Sequence, residues 1–287
     1  MFDIYLPESL DDALRFISKE EATPISGGTD LIPRIRSGEL KPKLLVDLSG
    51  LSELKYAKEE GDQIKIGALT TVAELYESPL LDGPLEIFKH VGRKFGGPQV
   101  RNMATVGGNL GAASSSEDLI PVFMVLGAKV VLASVNGDRM VPIEKFFFGK
   151  RETKRRENEI IKEVTFSRPL ERTWTAFDKI GRRSILFIAL ANMAVYLRME
   201  NDKVADVRLA LNRVRGKVPE RAFKTEAFLK DKELTDEVLE GAKEVLEGEL
   251  QLTSDFRASA KYRVEVQKAF LKRLLNYCRR RITEGWP

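Results

Sequence analysis

Two short glycine-rich segments contain the residue types best suited to bind an anion. The first reads Gly27-Gly28-Thr29-Asp30 and the second reads Thr105-Val106-Gly107-Gly108-Asn109. Adjacent glycines permit positive φ and let a ligand approach the main chain closely, so that successive backbone N–H groups can form a concavity for a phosphate. Both segments are predicted at strand-to-helix transitions, where the helix dipole favours negative charge. Together they predict a site for a phosphorylated cofactor, with tight turns that bind nothing as the alternative.

Other residue types narrow the kinds of site that the chain can hold. Neither segment matches the Rossmann G-x-G-x-x-G fingerprint or a P-loop, so NAD or ATP sites of those kinds are not indicated. The only cysteine is Cys278 and the only histidine is His90, whereas iron–sulfur clusters and zinc sites need several Cys or His ligands. No motif supports a nucleophilic triad. Redox chemistry in this chain must therefore use a bound organic cofactor, and we expect no metal site.

Charge and hydropathy give no sign of a nucleic-acid or membrane partner. The 287 residues have a formal net charge of +4, and basic residues alternate with acidic ones. The exception is the basic run from Lys150 to Arg156, for which we predict a solvated loop, with a partner-docking surface as the alternative. No apolar stretch approaches the roughly 18–20 residues of a membrane span, and the first residues lack the pattern of a secretory signal. We therefore expect a cytoplasmic protein.

Hydrophobic periodicity predicts the elements that would position the first glycine segment. Apolar residues from Leu10 to Ile17 recur at helical spacing. A strand signal ends at Ser26, a short helix follows Asp30, and the residues from Lys43 to Leu48 indicate a buried strand. The first segment therefore joins a strand to a helix.

The remaining elements alternate between strands and helices without a repeat. Asn136-Gly137 predicts a hairpin, and Thr71 with Glu74 has capping-box spacing. Further strands are predicted at 64–66, 160–166, 189–197 and 204–211, and further helices at 85–95, 119–126, 238–246 and 262–277. The apolar stripes of the last two helices are interpreted as core packing. The fold class is α+β in three lobes, at residues 1–54, 55–170 and 171–287.

Three longer motifs are more specific than the glycine pairs. Residues 95–109 read Phe-Gly-Gly-Pro-Gln-Val-Arg-Asn-Met-Ala-Thr-Val-Gly-Gly-Asn, and residues 114–121 read Ser-Ser-Ser-Glu-Asp-Leu-Ile-Pro. This stretch resembles the FAD-binding module of the molybdopterin dehydrogenases, the family of xanthine dehydrogenase and aerobic carbon monoxide dehydrogenase. The segment from Pro24 to Leu31 is similar to the first FAD loop of that family. Ser254-Asp255-Phe256-Arg257-Ala258-Ser259-Ala260-Lys261-Tyr262-Arg263 resembles the C-terminal domain signature of its medium subunit.

The resemblance spans the chain and implies a fold, a cofactor and a set of contacts. It implies a two-lobed FAD-binding module of the PCMH type, followed by a C-terminal α+β domain of the carbon monoxide dehydrogenase flavoprotein type. Its first loop would wrap the FAD pyrophosphate, and its second would cradle phosphate and approach the flavin. The implied FAD contacts are Pro24, Ile25, Ser26, Gly27, Gly28, Thr29, Asp30, Leu31, Phe95, Thr105, Val106, Gly107, Gly108, Asn109, Asp118, Ile161 and Lys179.

Structural roles are the alternative for several of these residues. Asp118 precedes an apolar stripe and could serve a helix N-terminus, Phe95 could belong to the core, and Lys179 could be a solvated lysine at a strand end. Asp178 could occupy the position aligned with Lys179. His90 is expected to be packed or at the surface and does not suit covalent attachment of a flavin.

The resemblance also implies a division of labour between subunits. A molybdopterin-binding large subunit would hydroxylate the substrate, and a [2Fe–2S] small subunit would relay electrons to FAD on this chain. NAD, a quinone or another acceptor would then take them, and no catalytic acid or base is predicted because the flavin carries the chemistry. The alternatives are a self-sufficient FAD-dependent oxidase or dehydrogenase, and a non-enzymatic scaffold with a decayed FAD site.

Overall fold

The computed structural model describes residues 2–181, 189–212 and 217–285, which form the predicted α+β fold. The strands in chain order are β1 Asp3–Tyr5, β2 Thr23–Ile25, β3 Leu44–Asp47, β4 Ala57–Glu60, β5 Gln63–Gly67, β6 Lys129–Ser134, β7 Gly137–Pro142, β8 Phe147–Gly149, β9 Glu152–Thr153, β10 Ile160–Ser167, β11 Thr173–Ile180, β12 Ala191–Glu200, β13 Lys203–Leu211 and β14 Glu220–Arg221. The α-helices are α1 Leu10–Ile17, α2 Leu31–Arg36, α3 Val72–Glu77, α4 Ile87–Lys94, α5 Pro98–Met103, α6 Val106–Ala112, α7 Leu119–Val125, α8 Ile143–Phe146, α9 Phe223–Leu229, α10 Asp236–Glu249 and α11 Ala260–Glu284.

A first compact unit consists of the described residues up to Leu80, with Gly97–Ala113 and Gly127–Ser167. It contains a parallel sheet in the order β1-β3-β2 and an antiparallel sheet in the order β4-β5-β10-β6-β7. The apolar face of α1 packs against β3 and the residues that follow it. The predicted hairpin is confirmed, because Gly137 adopts φ 103° where β6 turns into β7.

A second compact unit consists of Leu81–Gly96, Ser114–Leu126 and the described residues from Arg168 onward. Its antiparallel sheet has the order β11-β12-β13-β14, and α10 and α11 bury their apolar stripes against it. Leu239 and Leu274 are core residues, as predicted. Each unit is assembled from separate stretches of sequence, whereas the predicted lobes are contiguous, and the lobe boundaries stay a prediction.

One helix in the first unit was missed by the sequence reasoning. Gly96-Gly97-Pro98 was predicted only as a break, yet Gly97 is the N-cap and Pro98 the first residue of α5. Proline suits this position because the first helical N–H has no partner within its helix. The second glycine segment therefore follows a helix, and its predicted strand-to-helix placement was wrong.

Within the described residues, none of the helices is both long enough and apolar enough to cross a bilayer.

Candidate cofactor-binding site

The first glycine loop leaves a row of backbone donors open in the first unit. Pro24 and Ile25 end β2, and Leu31 begins α2. Between them, Gly28 has φ +66°, a conformation that residues with a Cβ rarely adopt. In the part of the chain that the structure describes, the backbone N–H groups of residues 27–30 have no acceptor. Such a run of free amides is suited to an anion with several oxygen atoms, such as a pyrophosphate.

The backbone N–H groups of residues 106–109 in the second loop, unlike those of the first, have hydrogen-bond acceptors among the described residues. The N–H of Val106 donates to Thr70 O at 3.0 Å and that of Gly107 to Ala68 O at 2.7 Å. The N–H of Gly108 donates to Thr105 Oγ1 at 3.0 Å, and that of Asn109 to Thr105 O at 2.9 Å. The predicted concavity of free amides was therefore wrong for this loop, because these donors hold the start of α6 in place.

Close packing explains the two glycines of the second loop. A Cβ at Gly107 would lie 2.8 Å from Ala68 Cβ, and one at Gly108 would lie 2.9 Å from Thr105 Oγ1 and 3.1 Å from Ser26 Oγ. Ser26 and Thr105 share a hydrogen bond of 2.9 Å between their hydroxyl oxygens. The structure thus brings the two predicted loops into direct contact.

Ile161 also lies in the first unit, beside the helix that follows the second loop. It belongs to β10 and is buried. A Cβ at Gly111 of α6 would meet Ile161 Cδ1 at 3.6 Å. The structure therefore places this predicted contact residue next to the C-terminal half of α6.

The basic run is only partly the solvated loop that was predicted. Lys150, Lys154 and Arg156 are exposed, whereas Arg151 and Arg155 are half-buried. The Arg155 guanidinium donates to backbone carbonyls of residues 156, 157 and 159. Arg151 binds Asp30 of the first loop, a contact that the local sequence did not indicate.

In the second unit, Asp118, Lys179 and Phe95 form a buried ion-pair cluster. Lys179 lies near the end of β11 and Asp118 directly before α7, and each is only 5% exposed. The Lys179 ammonium donates to Asp118 Oδ2 and lies 6.0 Å from the centre of the Phe95 ring. Asp118 makes no capping hydrogen bond to α7. The alternative of a solvated Lys179 was therefore wrong, whereas Asp118 does lie at the N-cap position of α7, as its own alternative expected.

The Asp118 carboxylate retains unused hydrogen-bonding capacity. Burial raises the pKa of the Asp118 carboxyl, while the Lys179 ammonium and the Asn192 amide act in the opposite direction. Asn192 lies close enough to influence this pKa, yet Asp118 Oδ1 and both side-chain polar atoms of Asn192 lack partners with hydrogen-bond geometry among the described residues. Because buried polar atoms are rarely unpaired, this cluster fits a ligand that donates hydrogen bonds.

Asp178 has a different set of partners from Lys179. Its carboxylate accepts hydrogen bonds from Lys94 and Arg273. These two ion pairs already use the Asp178 carboxylate. The residue that contacts Asp118 and lies near Phe95 is therefore Lys179 and not Asp178. The register of the cofactor contact at Lys179 stays a prediction.

His90 is a packed histidine. Its Nδ1 accepts the N–H of Phe177 at 3.3 Å, and its Nε2 lies 3.8 Å from Glu86 Oε1. Burial lowers the pKa of the His90 imidazole to about 4, against a smaller opposing effect of Glu86, while Arg93, Arg281 and Lys94 lower it further. The Phe177 N–H therefore positions the imidazole ring. With a pKa of about 4, the ring is neutral near pH 7.

We expect His90 to make the protein less stable in mild acid. Between pH 6.5 and about 4 the unfolded chain binds a proton at this position and the folded chain does not, so stability falls as pH falls, by roughly 2–3 kcal/mol over the whole range. Denaturant unfolding at several pH values should show this dependence reduced in His90→Gln, whose amide oxygen can still accept the Phe177 N–H. Equal pH dependence in both proteins would contradict the assignment.

Comparison with known proteins identifies the family. Residues 1–169 match the family described as FAD binding domain in molybdopterin dehydrogenase, and residues 175–278 match the CO dehydrogenase flavoprotein C-terminal domain. The chain therefore belongs to the FAD-binding medium subunits of the molybdenum hydroxylase family. It is a subunit of an FAD-dependent oxidoreductase, and the predicted family, fold class and cofactor are confirmed.

Relatives match over nearly their whole length. The chain is 31% identical to the glyceraldehyde dehydrogenase medium chain of Sulfolobus acidocaldarius, over 93% of this chain and 94% of that protein. It is 28% identical to the carbon monoxide dehydrogenase medium chain of Hydrogenophaga pseudoflava, over 96% of each. Reconstituted CO dehydrogenase from Oligotropha carboxidovorans contains a chain that matches with a TM-score of 0.92 at 29% identity, over 98% of each chain. Because these names refer to different substrates, the likeness defines the type of subunit and not its substrate.

Proposed function

We propose that this chain is the electron-transfer subunit of a molybdenum hydroxylase complex. Electrons arrive from [2Fe–2S] clusters on a small partner subunit and leave to NAD, a quinone or another acceptor. A molybdopterin-binding large subunit hydroxylates the substrate. Two facts support this assignment: relatives that match over 93% or more of both chains are named medium chains, and a chain whose only cysteine is Cys278 cannot itself hold an iron–sulfur cluster.

The open amides of residues 27–30 are the observation that carries the cofactor assignment. Their N–H groups bind the FAD pyrophosphate, and Gly28 keeps the backbone accessible to it. The second loop supports them through the Ser26–Thr105 hydrogen bond and takes part in phosphate binding with Asn109. We propose Pro24, Ile25, Leu31, Val106 and the backbone of Ile161 as the remaining contacts of the first unit.

The buried ion-pair cluster supplies a second set of cofactor contacts. Asp118 Oδ1 accepts a hydrogen bond from a polar group of FAD, and Lys179 fixes the orientation of this carboxylate. Phe95 packs against the cofactor. Bound FAD supplies the redox chemistry, since it exchanges single electrons and can also release a hydride. No side chain of this protein is assigned as a catalytic acid or base.

A visible absorption spectrum of the purified chain tests the cofactor assignment. We expect the two visible bands of an oxidised flavin, and heat should release FAD rather than FMN. A colourless protein that cannot take up added FAD would contradict the proposal and favour the scaffold alternative.

Anaerobic reduction tests the electron path. The flavin should be reduced by substrate only when both partner subunits are present, and the chain alone should not turn over the substrate. Rapid reduction of the isolated chain by a small organic substrate would instead support a self-sufficient dehydrogenase.

A further inference from the structure

Arg151 occupies a strained position in the turn between β8 and β9. Its φ is +68°, a conformation that residues with a Cβ rarely adopt. The backbone N–H of Arg151 donates to Ala113 O at 2.8 Å, just after the end of α6. Strain of this kind persists only where surrounding contacts hold it, so the position of this side chain is determined by several bonds.

The Arg151 guanidinium joins the first glycine loop to α6. Its Nη1 donates to Asp30 Oδ2 at 2.6 Å and its Nη2 to Asp30 Oδ1 at 3.1 Å, a bidentate pair. Nη1 also donates to Ala112 O at 3.1 Å, at the C-terminal end of α6. The Arg151 side chain thereby holds the first loop against α6 through hydrogen bonds.

Asp30 creates an electrostatic problem for an anion-binding loop. Its carboxylate immediately follows the open amides of Gly28 and Thr29, where it would repel a pyrophosphate. Arg34 neutralises the Asp30 carboxylate only in part. Its Nη1 lies 3.5 Å from Asp30 Oδ2, while its Nε binds Glu39 at 2.8 Å. The bidentate Arg151 pair therefore supplies most of the compensating charge.

We propose that Arg151 is a positioning residue for the FAD pyrophosphate: it neutralises Asp30 and fixes the open-amide loop without contacting the cofactor. This inference rests on the proposed function, since it takes the first loop as the pyrophosphate site. If Arg151 acts by neutralising Asp30, its replacement should reduce FAD affinity mainly when the Asp30 carboxylate is present.

The test is FAD affinity, measured by flavin fluorescence on the apoprotein of four variants. Arg151→Gln should weaken binding by roughly 10- to 50-fold, because it leaves an uncompensated carboxylate beside the phosphates. Asp30→Asn should weaken it by only a few-fold, and Arg151→Gln/Asp30→Asn should resemble Asp30→Asn. Lys150→Gln removes the same charge from the exposed neighbouring residue and should bind as the unmodified protein does.

Salt dependence separates neutralisation from a merely structural role. Raising the ionic strength screens the repulsion between Asp30 and the phosphates, so it should reduce the deficit of Arg151→Gln relative to the unmodified protein. Arg151→Lys keeps the charge without the bidentate geometry and should bind with intermediate affinity, which also covers the case in which Arg151→Gln does not fold.

The outcomes distinguish this inference from the proposed function. No FAD binding by the unmodified chain would overturn the proposed function itself. Binding by the unmodified chain, with Arg151→Gln equally tight, would overturn only the role of Arg151. Equal losses in both single variants and the double variant, independent of salt, would overturn neutralisation and leave a structural contact.

Discussion

Replacing Gly27 with alanine is expected to weaken FAD binding severely. A Cβ at this position would overlap the backbone carbonyl oxygen of Met103 at the end of α5, and a backbone atom cannot turn aside as a side chain can. The first loop would have to move away from α5, and its open amides would move with it. Because each hydrogen bond to a charged acceptor contributes about 1.5–3 kcal/mol, losing two of these amide contacts should weaken FAD binding by at least roughly 100-fold.

The matched control for this change is Gly50→Ala. An added Cβ at Gly50 meets nothing within 4 Å, so this variant should retain the flavin spectrum. Circular dichroism should show that Gly27→Ala remains folded, since the loop lies outside the helices and strands. Undiminished FAD binding by folded Gly27→Ala would mean that the first loop does not bind the pyrophosphate.

Local patterns sufficed for elements whose hydrophobic period is long or whose turn is distinctive. The helical stripes of α1, α10 and α11 and the Asn136-Gly137 hairpin were predicted at nearly their observed positions. In each, the residues that form the predictive pattern are only a few positions apart in sequence. The two glycine loops could be located in the sequence for the same reason.

Local sequence patterns could not predict that the backbone N–H groups are open in the first loop and hydrogen-bonded in the second. The carbonyls that occupy the amides of Val106 and Gly107 belong to Thr70 and Ala68, more than thirty residues earlier in the sequence. Likewise, Asp30 and Arg151 are separated by 121 positions. Pairings of this range depend on the tertiary fold, which explains why Arg151 was assigned to a solvated loop.

The extent and burial of strand β11 were not predicted, although Lys179 was considered as a strand-end residue, because the polar residues of this strand are buried by tertiary contacts. Thr175 donates to Pro84 O at 2.6 Å, and Asp178 and Lys179 bind charged partners from other elements. A strand covered by packing on both faces loses the alternation of polar and apolar residues that identifies a half-buried strand. The polar residues that obscured β11 in the sequence are thus the ones that build the ion-pair cluster.

Replacing Lys179 with methionine is expected to destabilise the protein by about 3–5 kcal/mol near pH 7. The change leaves the Asp118 carboxylate buried without its counter-charge, and the low exposure of both side chains prevents water from replacing the ammonium. Denaturant unfolding followed by circular dichroism measures the loss. Asp118→Asn/Lys179→Met, which removes both charges, should be clearly more stable than Lys179→Met.

The pH dependence of the Lys179→Met defect identifies its cause. Burial already raises the pKa of Asp118, and loss of the ammonium removes the interaction that opposes this shift. A carboxyl whose pKa is raised on folding stabilises the fold in its protonated form, and that contribution is lost as pH rises through the folded pKa. The free-energy difference between Lys179→Met and the unmodified protein should therefore shrink as pH falls from 7 toward 4. His90 titrates in both proteins and cancels in this difference, so a defect that stays constant with pH would exclude an uncompensated Asp118 charge and point to lost side-chain packing.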